Sequence, residues 1–182
     1  DITMRQVGRA DSNFLYRRSD NRPQYGNMSV EERAKITLEL SAQVDATPGE
    51  IYKYIVPYTS AVHEKSSKYI IYTDGACSGN IGAYAYIILD ENGKELQYGN
   101  TAFRNTTNNR MEIRAILSPL QYLHSPSHVV IVSDSQYCVN SINNWIFGWV
   151  AKKWEKKNLK NVDLWQAMYK RMLWHNVRAV WV

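Results

Sequence analysis

Two stretches of this chain end in the same way: Tyr69-Ile70-Ile71-Tyr72-Thr73-Asp74-Gly75 and Val129-Val130-Ile131-Val132-Ser133-Asp134-Ser135. Each is a short β-branched or aromatic run that stops at an aspartate, the pattern of a strand with a carboxylate at its tip. In open α/β sheets ligands gather at the carboxyl ends of strands. If the two runs lie side by side and parallel, their aspartates land a few ångströms apart. Glu112 falls just after residues 106–111, where the first turn of a helix can aim it at the same place. Like charges so close repel unless a cation joins them. A carboxylate-only cluster suits hard, oxygen-seeking ions such as Mg²⁺ or Mn²⁺, and no Cys/His spacing offers a zinc site. A single aspartate at a strand end is more often a cap. The case rests on all three together.

The surrounding pattern supplies a sheet to hold such a site. Residues 69–73 and 82–89 read as strands, and Asp90-Glu91-Asn92-Gly93 is a hairpin turn leading to a third strand over 94–104. Asn108 or Asn109 would cap a helix running to about Leu123, with Pro119 predicting a kink or an early stop near Ser118. A fourth strand over 128–133 precedes a helix from Ser135 to about Trp145. A helix over 161–175 and a strand over 177–182 follow. A three-stranded meander followed by alternating helices and strands gives an α/β fold, a mixed five-stranded sheet flanked by helices.

Charge indicates what such a sheet would meet. The net charge is +5. Residues 1–65 hold nine Lys/Arg against nine Asp/Glu, and residues 66–182 hold thirteen against eight, so the whole excess lies in the latter. Lys152, Lys153, Lys156, Lys157 and Lys160, opposed by Glu155, crowd one stretch beside Trp145, Trp149, Trp154 and Trp165. A solvated basic helix would show the same lysines. The aromatic density favours a polyanion with flat groups to stack on, a nucleic acid. The 45% hydrophobic content suffices for a packed core. No apolar run approaches the roughly 20 residues of a membrane span, and no signal-peptide pattern opens the chain. Two cysteines, Cys77 and Cys138, suit a reducing compartment: the cytoplasm, or the inside of an infected host cell.

Ahead of the sheet, residues 1–27 lack periodicity and read as a flexible arm, near neutral, whose Arg17, Arg18 and Arg22 could touch phosphates. Ser29 and Glu32 form a capping box opening a helix over 30–44, with Ala34, Ile36, Leu40 and Val44 as a partial apolar stripe. Thr47-Pro48-Gly49-Glu50 starts a second, short helix through Ile51 and Ile55 that ends before Pro57. Residues 28–67 thus form a small helical appendage with a linker. Packing on the neighbouring domain is its plain role, and capture of a protein partner through residues 28–65 is the sharper one. A DNA-reading role finds little support, since Lys53 is the second helix's one basic residue.

Five blocks then stand out together: TDGACSGN (73–80), TTNNRMEIRA (106–115), SDSQYCVNSI (133–142), the Trp145/Trp149 pair and NVDLW (161–165). In these residues, their order and their spacing, the chain over 68–182 resembles bacterial-type ribonuclease H, type 1. The resemblance implies an endoribonuclease that hydrolyses the RNA strand of RNA/DNA hybrids by a two-metal-ion mechanism, leaving 5′-phosphate and 3′-hydroxyl ends. It implies that Asp74 bridges two Mg²⁺ (or Mn²⁺) ions, with Glu112 and Asp134 completing their shells. Gly75, Cys77, Asn80, Asn108, Asn109 and Gln136 match positions that touch the hybrid's minor groove, where 2′-hydroxyls distinguish RNA from DNA. Tyr137 and Trp145 match an aromatic channel for the DNA strand, and Thr107 and Asn161 a pocket for a DNA phosphate. Lys152, Lys153, Trp149 and Trp154 resemble the family's basic protrusion, a source of sequence-independent grip.

Three departures mark this chain. Ile81 stands where the family has proline after the Gly-Asn, ahead of a shortened glycine turn, and Asn105 stands where an arginine often lines the phosphate pocket. The family pattern also continues past the last strand's Trp-Val into a glycine–histidine loop and a helix bearing a fourth carboxylate. This sequence stops at Val182, so a truncated product is expected, as a start at Asp1 also suggests. The alternative is a non-catalytic hybrid-binding module or adaptor. Integrases and transposases share the sheet and the acidic cluster but lack the TTNNRME and SDSQY blocks.

Overall fold

The computed structural model describes residues 28–55 and 67–182. The expected arm over 1–27, with its arginines, and nearly all of the linker lie outside the described residues. By residue contacts the chain divides into two units, Asp1–Glu64 with Asn143–Leu159, and Lys65–Ile142 with Lys160–Val182. The tryptophan-rich basic segment therefore groups with the helical appendage, which the linear order of the sequence does not show.

In the first unit, α1 (Val30–Val44) begins at the expected capping box, Ser29 N–H donating to Glu32 Oε2 at 2.8 Å and Glu32 N–H to Ser29 Oγ at 3.1 Å. Its buried face is not the Ile36/Leu40 stripe. Of the expected stripe Ala34 is buried, with Arg33, Thr37 and Ser41, while Ile36, Leu40 and Val44 remain half-buried. The physical reason lies opposite. α5 (Ile146–Ala151) brings the bulky Ile146, Phe147, Trp149 and Val150, and a small-residue face on α1 lets the two helices meet closely. Thr37 satisfies its buried hydroxyl by donating to Arg33 O at 2.7 Å. The short α2 (Pro48–Ile55) buries Ile51 and Ile55 and sets the Tyr52 ring 5.0 Å from that of Phe147.

The second unit is the expected mixed sheet, in the order β3-β2-β1-β4-β5. β1 (Lys68–Ser78), β2 (Ile81–Asp90) and β3 (Glu95–Arg104) are an antiparallel meander, and β4 (His128–Ser133) and β5 (Asn176–Trp181) run parallel to β1. One face, with Ile71, Tyr86, Ile88, Val129 and Ile131, is buried where α3 (Asn108–Tyr122) packs on β1 and β2. α6 (Val162–Trp174) packs in turn on α3. Alternation leaves Ile70, Tyr72, Tyr98 and Val180 exposed on the other face.

Four boundaries differ from expectation. β1 runs to Ser78, so Asp74 lies inside a strand rather than at its tip, because the hairpin pairing persists to Ser78↔Ile81. α3 is capped by Thr107, whose hydroxyl accepts from Arg110 N–H at 3.2 Å, not by Asn108 or Asn109. It also continues through Pro119 to Tyr122. Pro119 falls in the last turn, where one missing donor costs little beside burial of Leu117, Leu120 and Leu123. Finally, the helix expected to end near Trp145 continues from α4 (Gln136–Asn140) through a π-helical turn (Ser141–Trp145) into α5.

Candidate active site

Register decides the position of the two aspartates. β1 and β4 pair in parallel up to Tyr72↔Val132, and Asp74 and Asp134 each lie two residues beyond that pair. The carboxylates therefore leave the sheet at one level, where the parallel ladder has opened. Glu112 arrives from the first turns of α3, which presses onto β1 at Gly75. A β-carbon on Gly75 would stand 2.5 Å from both Glu112 N and Met111 C, so only glycine lets the helix come this close.

The outcome is a compact acidic cluster. One carboxylate oxygen from each of Asp74, Glu112 and Asp134 lies within 4.8 Å of the others, with both aspartates exposed and Glu112 half-buried. At an effective dielectric of about 20, each ionised pair at such a separation repels by roughly 3 kcal/mol, less where water screens it. The strain is visible on Glu112. Burial first, then the charges of Asp134 and Asp74, raise its pKa from 4.5 to about 7, with a Gly75 backbone hydrogen bond pulling the other way. Glu112 Oε2 is buried with no hydrogen-bond partner. An orphaned carboxylate oxygen facing two further carboxylates suits a divalent cation, which would supply the missing partner and cancel the repulsion.

Beside the cluster stands a polar network that sequence reasoning found only in part. Thr107 and Asn161, the expected phosphate-pocket pair, are linked through Arg110, whose backbone N–H donates to Thr107 Oγ1 and whose Nη1 donates to Asn161 Oδ1 at 3.4 Å. The same guanidinium grips Asp163 in a fork, Nη1–Oδ1 at 3.1 Å and Nη2–Oδ2 at 2.8 Å. Asn161 Nδ2 and Trp165 Nε1 both donate to the Tyr137 hydroxyl, at 3.3 and 2.8 Å. Arg110, Asp163 and Trp165 thus fix Asn161 and Tyr137 in place. The NVDLW and TTNNRME blocks held these residues, but nothing in a linear sequence pairs Arg110 with Asp163.

The remaining expected residues are placed individually. Cys77 is half-buried, its thiol donating to Gly79 O at 3.3 Å and Thr106 O at 3.5 Å, and Asn80 Nδ2 donates to Asn105 Oδ1 at 3.2 Å. Asn108, Asn109 and Gln136 are exposed. Trp145, Trp149, Lys152, Lys153 and Trp154 belong to the first unit. There Trp145 is 44% exposed and both lysines are exposed, whereas Trp149 is only 6% exposed, its ring 6.3 Å from that of half-buried Trp154. Trp149 thus offers a ligand little surface, because α1 and α5 pack around it.

Residues 66–182 match the RNase H family model. The chain belongs to the ribonuclease H family. A ribonuclease H from Rickettsia bellii is 44% identical over 125 residues, covering 65% of this chain and 79% of that protein. A ribonuclease H from Francisella tularensis subsp. novicida is 41% identical over 126 residues, covering 66% and 82%. Among solved structures, LC9-RNase H1, a type 1 RNase H with the type 2 active-site motif, superposes with a TM-score of 0.58 at 24% identity over 64% of this chain and 63% of that one. The N-terminal RNase H domain of a Mycobacterium tuberculosis protein gives 0.53 at 21% identity over 64% and 83%. These superpositions show the ribonuclease H fold, and the sequence relatives show the ribonuclease H enzyme family. α1 and α2 fall outside the family match, whereas residues 143–159 of the same unit fall within it.

Proposed function

We propose that this ribonuclease H hydrolyses the RNA strand of RNA/DNA hybrids with two divalent ions, Mg²⁺ or Mn²⁺, held by Asp74, Glu112 and Asp134, leaving 5′-phosphate and 3′-hydroxyl ends. The observation that carries this reading is the convergence of three carboxylate oxygens within 4.8 Å around the orphaned Glu112 Oε2. Only hard cations suit such a donor set. Bound there, they would lower the pKa of an attacking water and stabilise the leaving oxygen.

The chain's own residues supply position. Asp74, on the central strand, would hold the ions together with Asp134 and Glu112. Thr107 and Asn161, tied by Arg110, offer a hydroxyl and an amide to a DNA phosphate. That contact would set the register of the hybrid without reading its sequence. Gly75, Cys77, Asn80, Asn108, Asn109 and Gln136 would face the minor groove, where amide and thiol groups meet 2′-hydroxyls. Tyr137 and Trp145 would stack against the DNA strand, and Lys152, Lys153 and Trp154 would add salt-sensitive grip, with Trp149 supporting them from within. No helix among the described residues is long and apolar enough to cross a membrane. The described cysteines, Cys77 and Cys138, are free, in keeping with work in a reducing cytoplasm.

The test is to incubate the complete encoded chain with a labelled RNA/DNA hybrid and Mg²⁺ beside an Asp74→Asn control. Cleavage of the RNA strand by the native chain alone supports the reading. Hybrid bound but left uncut by both proteins would replace it with the non-catalytic binding module.

A further inference from the structure

Of the three clustered carboxylates, Asp134 has the least regular backbone beneath it. Asp74 lies within β1, paired with Ala85 of β2, and Glu112 is carried by α3. Asp134 stands past the end of β4, which closes at Ser133, and ahead of α4, which opens at Gln136. A residue in such a gap takes its direction from neither a ladder nor a helix. Side chains from β4 and β5 supply what the gap lacks.

The peptide unit that follows Asp134 is held at both ends. Its carbonyl oxygen accepts from Trp181 Nε1 at 3.2 Å, and its N–H, which belongs to Ser135, donates to Ser133 Oγ at 3.1 Å. A peptide group is planar, so two anchors at opposite ends leave it little freedom to rotate, and the ψ of Asp134 is set with it. Ser133 and Trp181 are themselves partners in register across β4 and β5. Both flanks are tied as well. Val182 N–H donates to Ser133 O at 3.0 Å, and Ser135 Oγ accepts from Cys138 N–H at 3.2 Å at the head of α4.

Trp181 is suited to this task by its reach. Alternation along β5 puts Val177, Ala179 and Trp181 on one face, the first two buried and Trp181 exposed. Its partner in register is Ser133, so the carbonyl it meets lies one residue further on, and the indole carries its one donor on a rigid two-ring frame. The bond lies at the surface, where a hydrogen bond adds little net stability because water competes for both groups. Its consequence is placement. Ser133 is the inner counterpart: it is 1% exposed, and a hydroxyl buried so fully needs a partner, which here is the amide that orients Asp134.

We propose that Trp181 and Ser133 are positioning residues for the carboxylate of Asp134, two jaws of a clamp that holds its backbone at the angle from which the side chain meets Asp74 and Glu112. The inference deepens the divalent-ion reading, on which it rests. Each residue acts through Asp134 rather than on an ion. Carboxylates this close repel one another, so an untethered Asp134 would swing outward whenever the charges are uncompensated. Reassembling the cluster would then oppose every binding event. The clamp keeps the site assembled beforehand, the part that outer partners of metal ligands play.

The test uses the complete encoded chain. Calorimetric titration of Mn²⁺ measures ion affinity, and amide hydrogen exchange without metal measures how firmly the Ser135 N–H is held. Trp181→Phe keeps an aromatic ring and removes its donor, and Ser133→Ala removes the acceptor. Each should weaken Mn²⁺ binding about tenfold, the lower end of what losing an outer partner of a metal ligand costs. Each should also speed exchange at Ser135 while amides within β4 keep their protection. Ser133→Thr, which retains a hydroxyl, should restore both. Because the jaws act on one peptide unit, the double variant should lose about as much as either single one. If either Trp181→Phe or Ser133→Ala keeps the parent's Mn²⁺ affinity, or if Ser135 exchanges no faster in Trp181→Phe, the clamp is overturned and the ribonuclease H reading stands. Losses that Ser133→Thr does not restore, or that simply add in the double variant, overturn it too, since the residues would then act through the fold at large. A parent chain that binds no Mn²⁺ would instead defeat the divalent-ion reading, and the clamp with it.

Discussion

Gly75 and Glu112 are in backbone contact: a β-carbon on Gly75 would fall 2.5 Å from Glu112 N, so the glycine sets how closely α3 approaches β1 and hence where the glutamate points. Gly75→Ala must push helix and strand apart. The expected cost is about 1–3 kcal/mol of stability, read as a lower melting temperature. Mg²⁺ affinity should fall with it, since the third carboxylate is displaced.

Glu112 gives the site a pH dependence with a definite sign. Its folded pKa is raised from 4.5 to about 7. Without metal, the stability it contributes is fully present below about pH 4.5 and is lost as pH rises through about 7. Metal binding must displace the proton, so Mg²⁺ affinity should weaken as pH falls below about 7. Glu112→Gln removes both effects. Without metal at pH 8 it should be more stable than the parent, by on the order of 1 kcal/mol after allowing for solvent screening of a half-exposed group, and Mg²⁺ should no longer raise its melting temperature. Paired thermal melts with Mg²⁺ and with chelator check this.

His175 titrates in the opposite sense. It is fully buried, accepting from Ser127 N–H at Nδ1 (3.2 Å) and donating from Nε2 to Leu120 O (3.1 Å), a pattern that only the neutral ring satisfies. Burial, the largest influence, lowers its pKa below the ordinary 6.5. Its contribution is present above pH 6.5 and is lost as pH falls through the lower folded value. His175→Ala should cost about 2–4 kcal/mol by orphaning both backbone partners and opening a cavity, measured by urea unfolding.

The Arg110–Asp163 fork is exposed, with side-chain exposures of 26% and 64%, so it matters more for placement than for stability. Asp163→Asn should change stability by no more than about 1 kcal/mol. Hybrid affinity should fall several-fold, because Arg110 then loses the anchor that holds it to Asn161. A binding isotherm set beside a thermal melt separates the two effects.

Much of this was legible in the sequence because its signals are local. The alternating runs at residues 69–73 and 129–133 carried the strands, and the Ser29/Glu32 box carried α1. Asp74, Glu112 and Asp134 stood out in sequence by lying after a strand run or near a helix start, although Asp74 proves to lie inside β1 and Glu112 beyond the first turn of α3. What escaped depended on partners far apart in sequence. Pro119 was tolerated because tertiary burial outweighed one missing donor. α1 buried Thr37 and Ser41 beside the expected Ala34, rather than Ile36 and Leu40, because bulk came from α5 across the interface. Grouping of residues 143–159 with α1 and α2, and Arg110 with Asp163, arises from pairings that no periodicity encodes.

The central claim, that three carboxylates share divalent ions, is tested most directly by calorimetric titration of Mn²⁺ into the intact chain and into Asp74→Asn. Saturable binding of one or two ions by the parent, lost in the variant, is the expected result. Equal binding by both proteins, or heat no greater than dilution in the parent, would contradict it.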